Sequence, residues 1–445
     1  MNHTDAPARG TDAPASPSTR TRLVVRTEPV EELAPLIPRA DPRHPLLWMR
    51  RGEGIVGLGE TIRIETSGPS RIEDAAAAWT SLAADADVDD RVGLPGTGLV
   101  AFGAFAFADD SASTSVLVVP ELVLGRREGR AWVTRISLAT GDDEAAVAAA
   151  SVALEIPEPT PKRRVPRVTF TPGAVPPEAY EAAVAEAVRR IDHGELEKVV
   201  LARQLVGELH EEDGLRAVIN RLADDYPDTW VFAVDGLIGA SPETLVRVDH
   251  GTVSARVLAG TTSRGADEAS DRERAAALAS SPKDRGEHAL AVASAVQRLA
   301  PHTARLDASP EPFTLQLPNL WHLATDLKGT LGDGSSSLDL VQAVHPTAAV
   351  AGTPRRVALR TLAELEGFDR GRYAGPVGWI DGDGDGEWAI ALRCAQVDAD
   401  GTVAAYAGCG IVHDSVPAEE LAETDIKFRP ILEAFEASPP SPAVE

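Results

Sequence analysis

Short β-forming runs separated by tight turns recur along this chain, and that spacing restricts its fold more than any other feature. The stretch 230–262 breaks only at Asp235-Gly236 and Asp249-His250-Gly251. Such short connections join antiparallel strands, because a parallel pair needs a crossover of a dozen or more residues. Helical patterns fall between groups of strands and not after each one. An α+β architecture follows, in preference to alternating βαβ units.

The first 22 residues are rich in Ala, Pro, Ser and Thr and read as a disordered tail, as does SPPSPAVE (438–445). Residues 23–155 form an N-terminal part with the β-like runs RLVVRT, LVAFGAFAF and SVLVVPELVLG. The proline-rich stretch 156–170 reads as a connector, and 171–437 as the catalytic region. Within the latter, Tyr180, Val184, Val188 and Ile191 share one helical face. Helices are also expected over 271–300, Thr347–Leu365 and Ala418–Ala437.

Composition excludes several classes. Apolar residues make up 43% and charged residues 25% of the 445, ordinary values for a globular protein. The formal charge of −25 disfavours nucleic acid and anionic membranes as partners. The tail lacks the apolar core of a secretory signal, and the longest apolar run, Leu99–Ala108, is too short to span a bilayer. Cys394 and Cys409 cannot build a disulfide framework, so a cytoplasmic location is expected. Arginine supplies most of the positive charge, and only five lysines remain: Lys162, Lys198, Lys283, Lys328 and Lys427. Arginine cannot act as a base whereas a desolvated lysine can, which singles out Lys198 and Lys427.

Several motifs fail on inspection. Asp381–Gly386 (DGDGDG) resembles half of a calcium loop, but position twelve is Leu392 where a bidentate Glu is needed, so a hairpin turn is expected. Gly239-Ala-Ser-Pro-Glu243 is no nucleophile elbow, since Glu replaces the second glycine. The ten histidines show no metal-binding pairing.

Two constellations survive. If Trp388–Val397 and Thr402–Ile411 pair with Val397 opposite Thr402, then Arg393 faces Tyr406 and Ala391 faces Gly408. That face is short of side-chain volume, with room for either a small carboxylate ligand or a thin interior around a structural arginine. Glu420, Glu423 and Lys427 then lie on one helix face, and Asp284 and Glu287 repeat the acidic pairing on another. Each pair suits a solvated face, or oxygen ligands for Mg²⁺ if the two pairs meet across a cleft.

Ordered motifs over 170–435 resemble the chorismate-utilising enzymes: LEKVVLAR (196–203), GASPETLVR (239–247), LAGT (258–261), SPKDRGEH (281–288), HPTAAVAGTPR (345–355), YAGPVGWID (373–381), GEWAIALRCAQV (386–397) and YAGCGIV (406–412). The resemblance implies an α/β/β/α sandwich of large antiparallel sheets with the active site in the cleft between them. It matches Lys198 to the base that activates water and Glu243 to the acid that protonates the leaving C4 hydroxyl. Glu287 and Glu423 match Mg²⁺ ligands, with Asp284 and Glu420 beside them. Gly260, Thr261, His345, Ala349, Arg393, Tyr406, Gly408 and Lys427 match the substrate site. Leu421 departs from the Trp that relatives often carry. The HPTAAVAG form is similar to the isochorismate-forming branch, an isomerase activity feeding menaquinone or siderophore synthesis with no glutaminase subunit. Branches making salicylate, anthranilate or aminodeoxychorismate, and a binding-only homologue, are the alternatives.

Overall fold

A computed structural model of the chain describes residues 21–140, 155–161, 164–210, 214–318 and 320–437. Residues 1–20 of the expected tail 1–22, the tail 438–445 and parts of the connector lie outside the described residues, whereas Thr21 and Arg22 open a strand instead of ending a disordered tail. Two large sheets dominate, one of thirteen strands and one of ten. Among the described residues every pairing is antiparallel except Thr21–Val30 with Asp87–Asp90. Short hairpins set this outcome, as at Trp230–Val234 and Leu237–Ser241, where Asp235 and Gly236 take positive φ.

Strands from the two halves of the chain share both sheets. Trp230–Val234 pairs with Leu46–Arg50 in the larger sheet, and Pro376–Asp381 pairs with Val100–Ala104 in the smaller. Alternation along one strand shows the layering. Leu46 and Trp48 join the main core, whereas Leu47 and Met49 face a second core beneath the helices Leu215–Asp225 and Pro417–Ala434. The helix Pro177–Asp192 lies on this side too, burying Tyr180, Val184 and Ala187 and stopping at Gly194, where φ is +74°. Helices Arg71–Ala84, Glu268–Ser280, Pro282–Leu299 and Ser337–Val344 cover the smaller sheet. The α/β/β/α sandwich is therefore present. No helix among the described residues is long and apolar enough to cross a membrane.

Three local expectations need correction. The helical run expected over 271–300 is two helices, split at Ser281, whose hydroxyl caps the second by accepting from the Asp284 amide. The helix expected over Thr347–Leu365 occupies only Arg355–Leu365; Pro354 caps it, and Thr347–Ala351 forms a turn. Most consequential is Trp388–Val397, which is not one strand. Gly386–Ile390 belongs to the smaller sheet and Cys394–Val397 to the larger, and Ala391–Arg393 crosses between them with Arg393 at φ +50°. Val397 pairs with Val403, one residue off the expected register, so Arg393 does not face Tyr406. The DGDGDG stretch is the expected hairpin turn, with the Asp381 carboxylate accepting the amides of Asp383 and Asp385.

Candidate active site

A cavity of about 130 Å³ lies between the sheets where the crossover, the strand Lys198–Glu208 and the helices Pro282–Leu299 and Pro417–Ala434 converge. Lys198 opens its strand, 2% exposed, and its Nζ meets Glu287 Oε1 at 2.7 Å. The neighbouring strand makes that contact possible. A Cβ at Gly410 would fall 2.8 Å from both Glu287 Oε1 and Lys198 Cε, and one at Gly408 would fall 3.1 Å from the Tyr373 hydroxyl. The scarcity of side-chain volume on that strand is thus used to admit the groups around it.

Glu243 sits in the bend between strands Leu237–Ser241 and Thr244–Asp249 and is 4% exposed. Burial pushes its pKa up to about 8, against the opposing pull of the Leu258 amide, Lys198, Arg393 and Lys427. At neutral pH it holds a proton that it can donate.

Gly260 lies where the register slips between Leu258 and Thr261, at φ +82°, a conformation glycine adopts without strain. Thr261 Oγ1 is 3.0 Å from His322 Nδ1, and His322 Nε2 faces Arg393 Nη2 at 3.5 Å. Burial, with Arg393 and Lys427 nearby, keeps this imidazole neutral. Lys427 Nζ donates to the Gly408 carbonyl at 2.9 Å and pairs with Glu423 at 2.6 Å. Burial opposes its charge, but the paired Glu423 carboxylate raises its pKa.

Asp284, Glu287, Glu420 and Glu423 all border the same cavity. Burial and then Glu423 push Glu420 up to about 7, and burial with Glu287 and Glu423 raises Asp284. Carboxylates that repel one another in this way fit a hard divalent cation with oxygen ligands. Cys409 lies within reach of Glu420 and Glu423, and burial raises its thiol well above the ordinary range.

Twelve of the fourteen residues singled out from sequence line this cavity; His345 and Tyr406 do not. His345 is a core residue whose Nε2 bonds the Phe107 carbonyl at 3.0 Å, its ring edge-on to Phe107. Tyr406 stacks behind Tyr373, with ring centroids 5.2 Å apart, and Tyr373 is the ring that reaches the cavity. Lys283, His322, Arg370 and Tyr373 also line it and went unrecognised in the sequence. Lys283 had a usable signal, since three of the five lysines in an arginine-biased chain border one cavity. Arg370 is buried, pairs with Glu366, and donates to the carbonyls of Val200 and Val350. It thereby ties the Lys198 strand to the 345–354 segment. Leu421 packs against the main core. A wider groove of about 1040 Å³ lies elsewhere, but its Arg63 and Arg372 are both bound to Asp235 and no catalytic set converges there.

Known proteins share this chain's sequence pattern and fold. The profile of the family described as "Chorismate binding enzyme" matches residues 15–436. The isochorismate synthase DhbC of Bacillus subtilis is 38% identical over 271 residues, covering 58% of this chain and 68% of that protein. A salicylate biosynthesis isochorismate synthase of Pseudomonas aeruginosa is 33% identical over 411 residues, covering 89% and 86%. The solved structure of MenF, the menaquinone-specific isochorismate synthase of Escherichia coli, superposes with a TM-score of 0.75 at 24% identity, covering 94% and 95%, and so shares the fold. By its profile, its relatives and its sandwich fold, the chain belongs to the chorismate-binding enzymes.

Proposed function

We propose that this chain converts chorismate to isochorismate with Mg²⁺, adding water at C2 and losing the hydroxyl from C4. The observation that carries this reading is one buried cavity bordered by a lysine, a protonated glutamate and four converging carboxylates. The names of the relatives support it. Lys198, in its neutral amine form, takes the proton from the attacking water. Glu243 gives its proton to the departing C4 oxygen, so that the leaving group departs as water and not as hydroxide. Arg393 and Lys427 hold the two substrate carboxylates, which a protein of charge −25 must attract by local positive groups. Gly260, Thr261, Gly408 and Ala349 shape the pocket around the ring.

Asp284, Glu287, Glu420 and Glu423 would hold Mg²⁺, which when bound supplies positive charge for a substrate carboxylate. Chelation should abolish turnover and Mg²⁺ should restore it. Glu287→Ala and Glu423→Ala should each raise the Mg²⁺ concentration needed for half-maximal rate at least tenfold, an effect of order one lost ligand. Asp383→Ala and Asp385→Ala should leave it unchanged; Asp381→Ala should lower only thermal stability, because two turn amides lose their acceptor. A Mg²⁺ titration of each variant decides this.

The product would feed menaquinone or siderophore synthesis in the cytoplasm, in keeping with two free, buried cysteines. The rival within the family aminates chorismate instead. Chorismate consumption should therefore be independent of added ammonium and need no glutaminase; ammonium-dependent formation of an aminated aromatic product would replace this proposal.

A further inference from the structure

The segment between His345 and Pro354 contains a threonine that the mechanism above leaves unused. The Thr347 backbone carbonyl accepts the amides of Val350 at 3.2 Å and Ala351 at 3.0 Å, which forms the turn. Its hydroxyl plays no part in that turn. Oγ1 is buried and has no hydrogen-bond partner among the described residues, an arrangement that is costly unless something else meets it. Next to it, behind the substrate cavity, lies a second, smaller one of about 20 Å³. Glu243 and Thr347 border it, with Thr244, whose hydroxyl accepts from Trp230 Nε1 at 2.9 Å, and apolar neighbours that include Leu245, Val257, Ala295 and Ile390. A buried water needs roughly 10–15 Å³ of probe-occupied space and two or more polar partners, and this cavity offers both. Arg256 also borders it, but its guanidinium is held by Asp326 at 2.6 and 2.9 Å.

We propose that this cavity seats one water bridging the Thr347 hydroxyl and the Glu243 carboxyl, which makes Thr347 a positioning residue for the acid. The proposal rests on the reading of Glu243 as the general acid. Glu243 borders both cavities, so the water reaches it from behind while the substrate lies in front. A carboxylic acid carries its proton on one oxygen. A hydrogen bond donated from behind to the other oxygen turns the protonated one toward the cleft. The water donates that bond and accepts one from Thr347. The charged groups facing Glu243 are Lys198 from its strand, Arg393 from the crossover and Lys427 from the C-terminal helix, and none of them is replaced in the test.

Thr347→Val keeps the shape of the side chain and removes the hydroxyl, whereas Thr347→Ser keeps the hydroxyl. The bridging bond favours the ionised carboxylate, so its loss should move the basic limb of the kcat–pH profile upward by about 0.4–1 unit. Thr347→Val should also lower kcat about 2–10-fold with KM within about twofold, the scale of one hydrogen bond. Thr347→Ser should restore both. A purely structural threonine would change stability without moving the limb. A high-resolution crystal structure of the unaltered protein should show one ordered water within hydrogen-bonding distance of both side chains, and it decides the matter even if Thr347→Val does not fold. A dry cavity, or a Thr347→Val profile identical to the unaltered protein, overturns the proposal. If Glu243→Gln retains turnover, the acid assignment itself falls; if Glu243→Gln is inactive and the Thr347→Val profile is unchanged, only the water falls.

Discussion

Lys198→Ala is expected to lower turnover about 10²–10⁴-fold, the usual contribution of a general base, while chorismate affinity stays within a few-fold. The split follows from position. Lys198 is buried beside Glu287, while Arg393 and Lys427 carry the charges assigned to the substrate carboxylates. Removing the amine leaves Glu287 without its 2.7 Å partner, so thermal stability should be recorded alongside rate. Mg²⁺ should offset part of any stability loss, because Glu287 is also assigned to the cation. Turnover near that of the unaltered protein in a folded Lys198→Ala variant would remove the lysine as the base.

Glu243→Gln is expected to have an effect of the same order, because the amide matches the acid in shape but carries no transferable proton. Its ionisation also sets the direction of the pH response. With a folded-state pKa near 8 against an ordinary 4.5, Glu243 is protonated at neutral pH, and the rate should fall as pH rises through about 8. The same shift acts on stability. Between about 4.5 and 8 the folded chain keeps a proton that the unfolded chain releases, so this residue's contribution weakens as pH rises and levels off above 8. Glu243→Gln lacks that dependence, and its melting temperature relative to the unaltered protein should climb across the window. Melting curves at several pH values test this independently of activity; a constant difference would show that Glu243 is not held protonated.

Much of the site could be read from the chain because its chemistry departs from the chain's own habits. Lys198 and Lys427 stood out in an arginine-biased composition, and the two acidic pairs fell at helical spacing. Arg393 was identified for the wrong geometric reason. Alternation along Trp388–Val397 carries no record of which sheet each residue joins, so a crossover at Ala391–Arg393 reads as continuous strand. The one-residue slip in register followed, and with it the misplacement of Tyr406. His345 and His322 show the complementary difficulty. Each is a single histidine among apolar neighbours, and only the fold sends one to the Phe107 carbonyl and the other to Arg393. Arg370 is invisible in sequence for a similar reason, since its partners are main-chain carbonyls of Val200 and Val350, far away along the chain. The sandwich itself was legible only through the family resemblance. Hairpin spacing indicated antiparallel strands, but not that both halves of the chain contribute to both sheets.

Where the reaction stops is the most direct test of the central claim. Carrying isochorismate onward to salicylate requires the bound intermediate to be held for a second proton-coupled elimination that expels pyruvate. Ala349 and Val350 border the cavity and are small and apolar, so neither side chain offers the intermediate a polar contact for that step. Chromatographic analysis of the purified protein incubated with chorismate and Mg²⁺, without an added isochorismate-consuming enzyme, should show isochorismate accumulating with little salicylate or pyruvate. Stoichiometric salicylate and pyruvate would contradict the assignment.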